Sequence, residues 1–146
     1  MPRRLVALLL CCAAPALAAA GCGTREPSDE EQVRTTLAAL ADATGAKDYR
    51  RLCEEVFARE LLEGIEKIGL PCEPAMRQAF EDVQDPRLTV GRVSVAGQTA
   101  SAEVRSSARG QEPSNDTVTL VKEEEGWRVS SLGAGDAPPP PEPREP

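Results

Sequence analysis

Residues 86–100 read Pro86-Arg-Leu-Thr-Val-Gly-Arg-Val-Ser-Val-Ala-Gly-Gln-Thr-Ala100, and here the spacing of apolar side chains changes. Upstream they recur every three to four residues; from Leu88 onward they recur every second residue. Leu88 and Val90 alternate with polar neighbours, Gly91-Arg92 intervenes, and Val93 and Val95 resume in the opposite parity. An alternation that slips by one at a glycine predicts a strand carrying a β-bulge. Ala96-Gly97-Gln98 predicts a turn. A second strand follows, with Ala100, Ala102, Val104, Ser106 and Ala108 on one face and Glu103, Arg105 and Arg109 on the other. Gly110 to Asn115 reads as a loop, and Val118 and Leu120 mark a third strand. Glu123-Glu-Glu-Gly126 turns the chain into a fourth strand, Trp127-Arg-Val-Ser-Ser-Leu132. Connections this short join antiparallel neighbours.

Upstream of Pro86 the period is helical. Ser28-Asp-Glu-Glu31 has the form of a capping box, a serine N-cap with glutamate three residues on. Val33, Leu37, Leu40 and Ala41 follow at helical spacing, which predicts a first helix over about 29–44 with Gly45 just past its end. A second helix starts near Asp48 and places Leu52, Cys53, Val56 and Phe57 on one face. It breaks near Phe57 and resumes through Leu61, Leu62 and Ile65, until Gly69, Pro71 and Pro74 interrupt it. A third, about 73–82, carries Met76, Ala79 and Phe80. The fold class is therefore α+β: three N-terminal helices packed on one face of a curved four-stranded antiparallel sheet.

The ends of the chain have other compositions. Met1-Pro-Arg-Arg4 is a short basic start, and Leu5 to Ala20 is an apolar run of 16 residues. That is shorter than the ~20 residues a spanning helix requires. A basic start, an apolar middle and small residues before a cut are the order of a secretory signal. Leu17-Ala-Ala-Ala-Gly21-Cys22 resembles the lipobox of bacterial lipoproteins, with Ala19 where that motif most often has Leu. The resemblance implies a signal peptide over residues 1–21, cleavage before Cys22, and a diacylglyceryl group on the Cys22 thiol. Two acyl chains suffice for stable anchoring, at ~0.8 kcal/mol per buried CH₂. Arg3-Arg4 suggests a twin-arginine signal, but Ala7 breaks the apolar pair expected after it, which favours general secretion. Residues 22–28 would then be a lipidated tether and 29–134 the domain. Residues 135–146 form a disordered, proline-rich tail, with six prolines between Asp136 and Pro146.

The five cysteines sort themselves on this reading. Cys11 and Cys12 leave with the signal and Cys22 takes lipid, so Cys53 and Cys72 remain as one pair in a compartment where disulfides persist. Closing a loop of about 20 residues contributes roughly 3 kcal/mol on the chain-entropy model. Their spacing is not Cys-x-x-Cys, and two soft ligands do not make a structural zinc site. A staple has particular value here, because a domain of about 105 residues buries only roughly 60–65% of its unfolded surface.

Charge narrows the partners. The chain carries a formal charge of −7; without residues 1–21, whose only charges are Arg3 and Arg4, it carries −9. Residues 28–85 hold 14 acids and 7 bases, whereas residues 86–135 hold six of each. That balance argues against nucleic acid and against an anionic membrane surface bound through basic residues. An acidic, solvated helical face is the simpler reading of the helical half.

From the first helix to Leu132 the pattern resembles the small NTF2-like (SnoaL-like) cone fold found in many actinobacterial lipoproteins. The lipobox, the Cys53 and Cys72 pair in the helical half and the closing Gly126-Trp127-Arg128-Val129 strand carry the resemblance. Enzymes of that superfamily, such as ketosteroid isomerases and scytalone dehydratases, place Asp, His or Tyr inside the cone. This chain has no histidine and one tyrosine, Tyr49, which with Asp48 falls at a helix start where Asp caps. The inner face of the second strand offers alanine, valine and serine, none a general base near neutral pH. Glu123, Glu124 and Glu125 lie in a turn without calcium-loop spacing, and Asn115-Asp-Thr117 matches a glycosylation sequon by chance. Trp127, Phe57 and Phe80 read as core. Ala100, Ala102 and Ser106 permit either close helix packing, the favoured reading, or a concave pocket. The expectation is a non-enzymatic, membrane-anchored binding or accessory module on the extracytoplasmic side of the cell membrane, without cofactor or metal. Its partners are the bilayer, through Cys22, and an envelope protein or small apolar ligand. The alternatives are a small-molecule carrier or enzyme using the cone cavity, and a surface spacer acting through its acidic face or proline tail.

Overall fold

The computed structural model describes residues 25–133. The signal peptide, Cys22, most of the tether and the proline-rich tail lie outside the described residues. Within them the order is α1 (Asp29–Ala46), α2 (Tyr49–Arg51), α3 (Arg59–Lys67) and α4 (Cys72–Ala79). Four strands follow: β1 (Arg87–Ala96), β2 (Thr99–Ser107), β3 (Ser114–Glu123) and β4 (Gly126–Ser131). The sheet is an antiparallel meander in the order β1-β2-β3-β4.

The capping box forms as expected. Ser28 Oγ accepts from the Glu31 N–H at 3.3 Å and Glu31 Oε2 accepts from the Ser28 N–H at 2.7 Å. Val33, Leu37, Leu40 and Ala43 make the buried stripe of α1. The helix end differs from the sequence reading: α1 continues past Thr44 through Gly45 to Ala46, and Lys47 takes the left-handed cap at φ 55°. The reason is the pair of bonds Lys47 N–H to Thr44 O (3.1 Å) and Asp48 N–H to Ala43 O (2.9 Å), a Schellman closure centred on Lys47.

The expected second helix divides in two, which brings the count to four. From Leu52 to Val56 the α2 helix widens into a π-turn, and Phe57 leaves it in an extended conformation with its N–H still bonded to Leu52 O. The break has a tertiary cause. Phe57 bridges Val129, and the Ala58 N–H donates to Val129 O at 2.8 Å, so the chain leaves the helix to pair with the open edge of β4. α4 begins at Cys72, one residue earlier than expected, and ends at Ala79 rather than near 82.

The slip at Gly91 is a bulge. Leu88 pairs with Ser106 and Val90 with Val104; the register shifts, and Val93 then pairs with Ala102 and Val95 with Ala100. The extra residue keeps all four apolar side chains of β1 on the face shared with Val104, Ala102 and Ala100. Gly91 also tolerates a close strand, since a Cβ there would come within 3.3 Å of Glu103 O. α1 lies across the concave face and touches both edge strands. Near its start Thr36 Oγ1 donates to Trp127 O at 3.0 Å, and Arg34 donates to Gly91 O at 3.0 Å. Leu37, Leu52, Leu120, Val33, Val56 and Val129 are fully buried between the layers. No helix among the described residues is long and apolar enough to cross a membrane.

Candidate functional site

The inward-facing side chains of the sheet do not all meet a helix. Ala100 and Ala102 are buried in the core cluster with the apolar stripe of α1, Leu52 and Val56. Toward the other end of β2 and the start of β3 the layers part. They leave a half-open pocket of about 260 Å³ between the second half of α1, the α4–β1 connection and the sheet. Leu40, Phe80, Val83, Leu88, Val118 and Leu132 form its apolar walls. Ser106 therefore belongs to a pocket, whereas its neighbours Ala100 and Ala102 belong to packing. Phe80 is a half-buried wall of this pocket rather than sealed core.

A chain of polar groups reaches into the pocket from the sheet. The hydroxyls of Ser106 and Ser114 lie 2.7 Å apart across β2 and β3, and Ser114 Oγ donates to Asp116 Oδ2 at 2.7 Å. Asp116 Oδ1 is shielded from solvent and accepts no hydrogen bond; among the described residues it is the buried side-chain polar atom left without a partner. A buried acceptor without a donor costs about 1–3 kcal/mol, and more when charged. Such a group in a native fold calls for a ligand, an ion or an ordered water.

Sequence reasoning passed over Asp116 except as the middle of a sequon. The signal was present: Val118 and Leu120 set the inward parity of β3, and continuing that parity back from Val118 falls on Asp116 and then Ser114. A carboxylate at a core-facing strand position is the informative exception to apolar burial.

The other singled-out residues have structural work. Asp48 caps α2, its Oδ1 accepting from the Arg51 N–H at 3.0 Å. Tyr49 is buried, with the Arg77 guanidinium 5.7 Å from its ring centre. The three glutamates of the hairpin diverge. Glu123 Oε1 accepts from the Arg59 N–H at 2.9 Å and so caps the start of α3, which has no capping side chain of its own. Glu125 accepts from the largely buried Arg128 at 2.7 Å, and Glu124 is exposed. No group of three or more His, Cys, Asp or Glu side chains among the described residues is placed to hold a metal ion. Asn115 faces outward beside Arg105. Cys53, in the π-turn, and Cys72, at the start of α4, are joined by a disulfide with Cα atoms 6.0 Å apart. Phe57 and Trp127 are core.

Four helices on a four-stranded antiparallel meander, with a pocket where the layers part, make an arrangement shared with NTF2-like proteins. Solved structures agree. An NTF2-like protein of unknown function from Silicibacter pomeroyi is similar with a TM-score of 0.50 and 21% identity, over 68% of this chain and 88% of that one. A proposed dehydratase from the NTF2-like family of Streptomyces avermitilis is similar with a TM-score of 0.50 and 17% identity, over 70% of this chain and 91% of that one. At these identities the likeness concerns the fold alone. No family model and no curated protein matches the chain.

Proposed function

We propose that the protein is a membrane-tethered, non-enzymatic binding module of the cell envelope whose pocket holds a small, largely apolar ligand. The observation that carries the binding reading is Asp116, a residue lining an apolar-walled pocket, one of whose carboxylate oxygens is buried without a partner. Pockets of this kind fix a ligand with apolar walls and one or two polar groups. The tether rests on the lipobox-like Leu17 to Cys22. Thermal unfolding with small ring compounds tests the pocket: binders raise the transition temperature of the full chain, and Ala41→Phe, which fills the pocket from α1, abolishes the shift. A shift unchanged in Ala41→Phe places the ligand elsewhere and defeats the reading.

A second reading, proton transfer at Asp116, draws on the Ser106–Ser114–Asp116 chain of hydroxyls and on the dehydratase proposed among the structural neighbours. Mass analysis of the bound compound separates the two. Recovery unchanged supports carriage or sensing; recovery as a dehydrated or isomerised product, lost in Asp116→Asn, makes the protein an enzyme.

A further inference from the structure

From the chemistry of the pocket we infer that its ligand is a small organic cation, an amine on a compact ring or branched alkyl body. The inference rests on the reading of this pocket as the ligand site and adds the charge and size of what it takes.

Size comes first. A cavity of about 260 Å³ lies just under the ~300–1,000 Å³ of drug-sized sites. A dry cavity of roughly 150 Å³ lined by aliphatic and aromatic side chains takes up benzene. The ligand body is thus a single ring or its branched equivalent, set against Leu40, Phe80, Leu88 and Val118.

Charge comes from Asp116. Its Oδ2 is held by Ser114, while Oδ1 is out of water and unpaired. The chain has already desolvated this oxygen in folding, so an incoming donor meets only its own desolvation cost. A neutral hydroxyl would satisfy the lone pair. An ammonium would also meet the charge, and charge-assisted bonds are about twice as strong as neutral ones. Oδ1 is sealed in this fold, so it meets a donor only as the carboxylate turns, a motion that the soft Cβ–Cγ torsion of an aspartate permits and that shifts Oδ2 against Ser114. Arg87, the cation at the pocket wall, is exposed and leaves Oδ1 unpaired. The net charge of −7 adds a weak, long-range attraction for cations.

Three probes with one body and different charge decide the matter: benzylamine, benzyl alcohol and benzoate, titrated into the full chain by calorimetry or by NMR shifts of the pocket residues. The expected result is benzylamine binding about tenfold tighter than benzyl alcohol, with benzoate weakest. In Asp116→Asn the amine and the alcohol bind alike. The comparison within the unmodified protein stands even if that variant folds poorly. Equal affinity of amine and alcohol in the unmodified protein overturns the charge assignment and leaves the pocket reading intact. Tightest binding of benzoate also overturns it and points to Arg87. If no probe perturbs the pocket residues, both the cation and the pocket reading fail.

Discussion

Asp29 and Asp116 are the same side chain put to opposite uses. Asp29 Oδ1 accepts from Lys122 Nζ at 2.6 Å and from Trp127 Nε1 at 3.0 Å, which ties the start of α1 to the β3–β4 hairpin. The Lys122 hydrogen bond first, then that of Trp127, holds the Asp29 carboxyl below its ordinary value of 3.8. The backbone N–H and hydroxyl of Ser28 likewise hold Glu31 below 4.5. Both folded-state values are depressed, so their contribution is complete above the unfolded values and is lost as pH falls through the folded ones. Stability should therefore fall in acid below about pH 4, with Trp127 fluorescence reporting the loosening, and Asp29→Asn should flatten part of that fall. An acid limb identical in the variant removes Asp29 from the account. In sequence Asp29 reads only as a first-turn acid, since its partners Lys122 and Trp127 stand at the far end of the domain. Asp116 was passed over in sequence, although the inward parity of Val118 and Leu120, carried back along β3, leads to it.

Local signals located the elements, and tertiary contacts set where several of them end. The capping box, the bulge at Gly91 and the α4 start beside Cys72 are written within a few neighbouring residues, and each formed at or within a residue of its expected place. The division of the second helix falls near Phe57 as expected, and its cause is the pairing with Val129 in the last strand. The C-terminus of α1 was misplaced because glycine is the usual left-handed residue, whereas Lys47 takes that conformation here. The disulfide acts at this scale: it clamps the π-turn to α4 across a sequence separation of 19. Replacing Cys53 and Cys72 together by serine should cost roughly 3 kcal/mol. For a domain of this size that is a fall of about 12–24 °C in Tm, read by circular dichroism. Because Phe80 follows α4 directly, ligand affinity should fall with it. A variant that keeps both Tm and affinity shows the clamp to be dispensable.

At the scale of the whole molecule the α+β class and the meander followed from two periods, 3.6 and 2, and from short turns. The pocket did not. Whether small side chains invite a helix or leave a gap depends on where α1 crosses the sheet, and that distance is fixed by side chains on both layers together. The proposed tether is a whole-molecule property too. Intact mass of protein purified from bacterial membranes should match a chain beginning at Cys22 with its lipid, and should rise by two hydrogens on reduction. A chain without lipid removes the tether and leaves a freely diffusing binding protein.

The length of α1 sets one more relation. Its 18 residues carry Asp29 at one end, while Leu40, Ala41 and Thr44 near the other end line the pocket. At ~1.5 Å per residue, the stretch from Asp29 to Thr44 is a stiff rod of about 22 Å. A chain moored through the residues before Asp29 would have its pocket set apart from the mooring by the span of that rod.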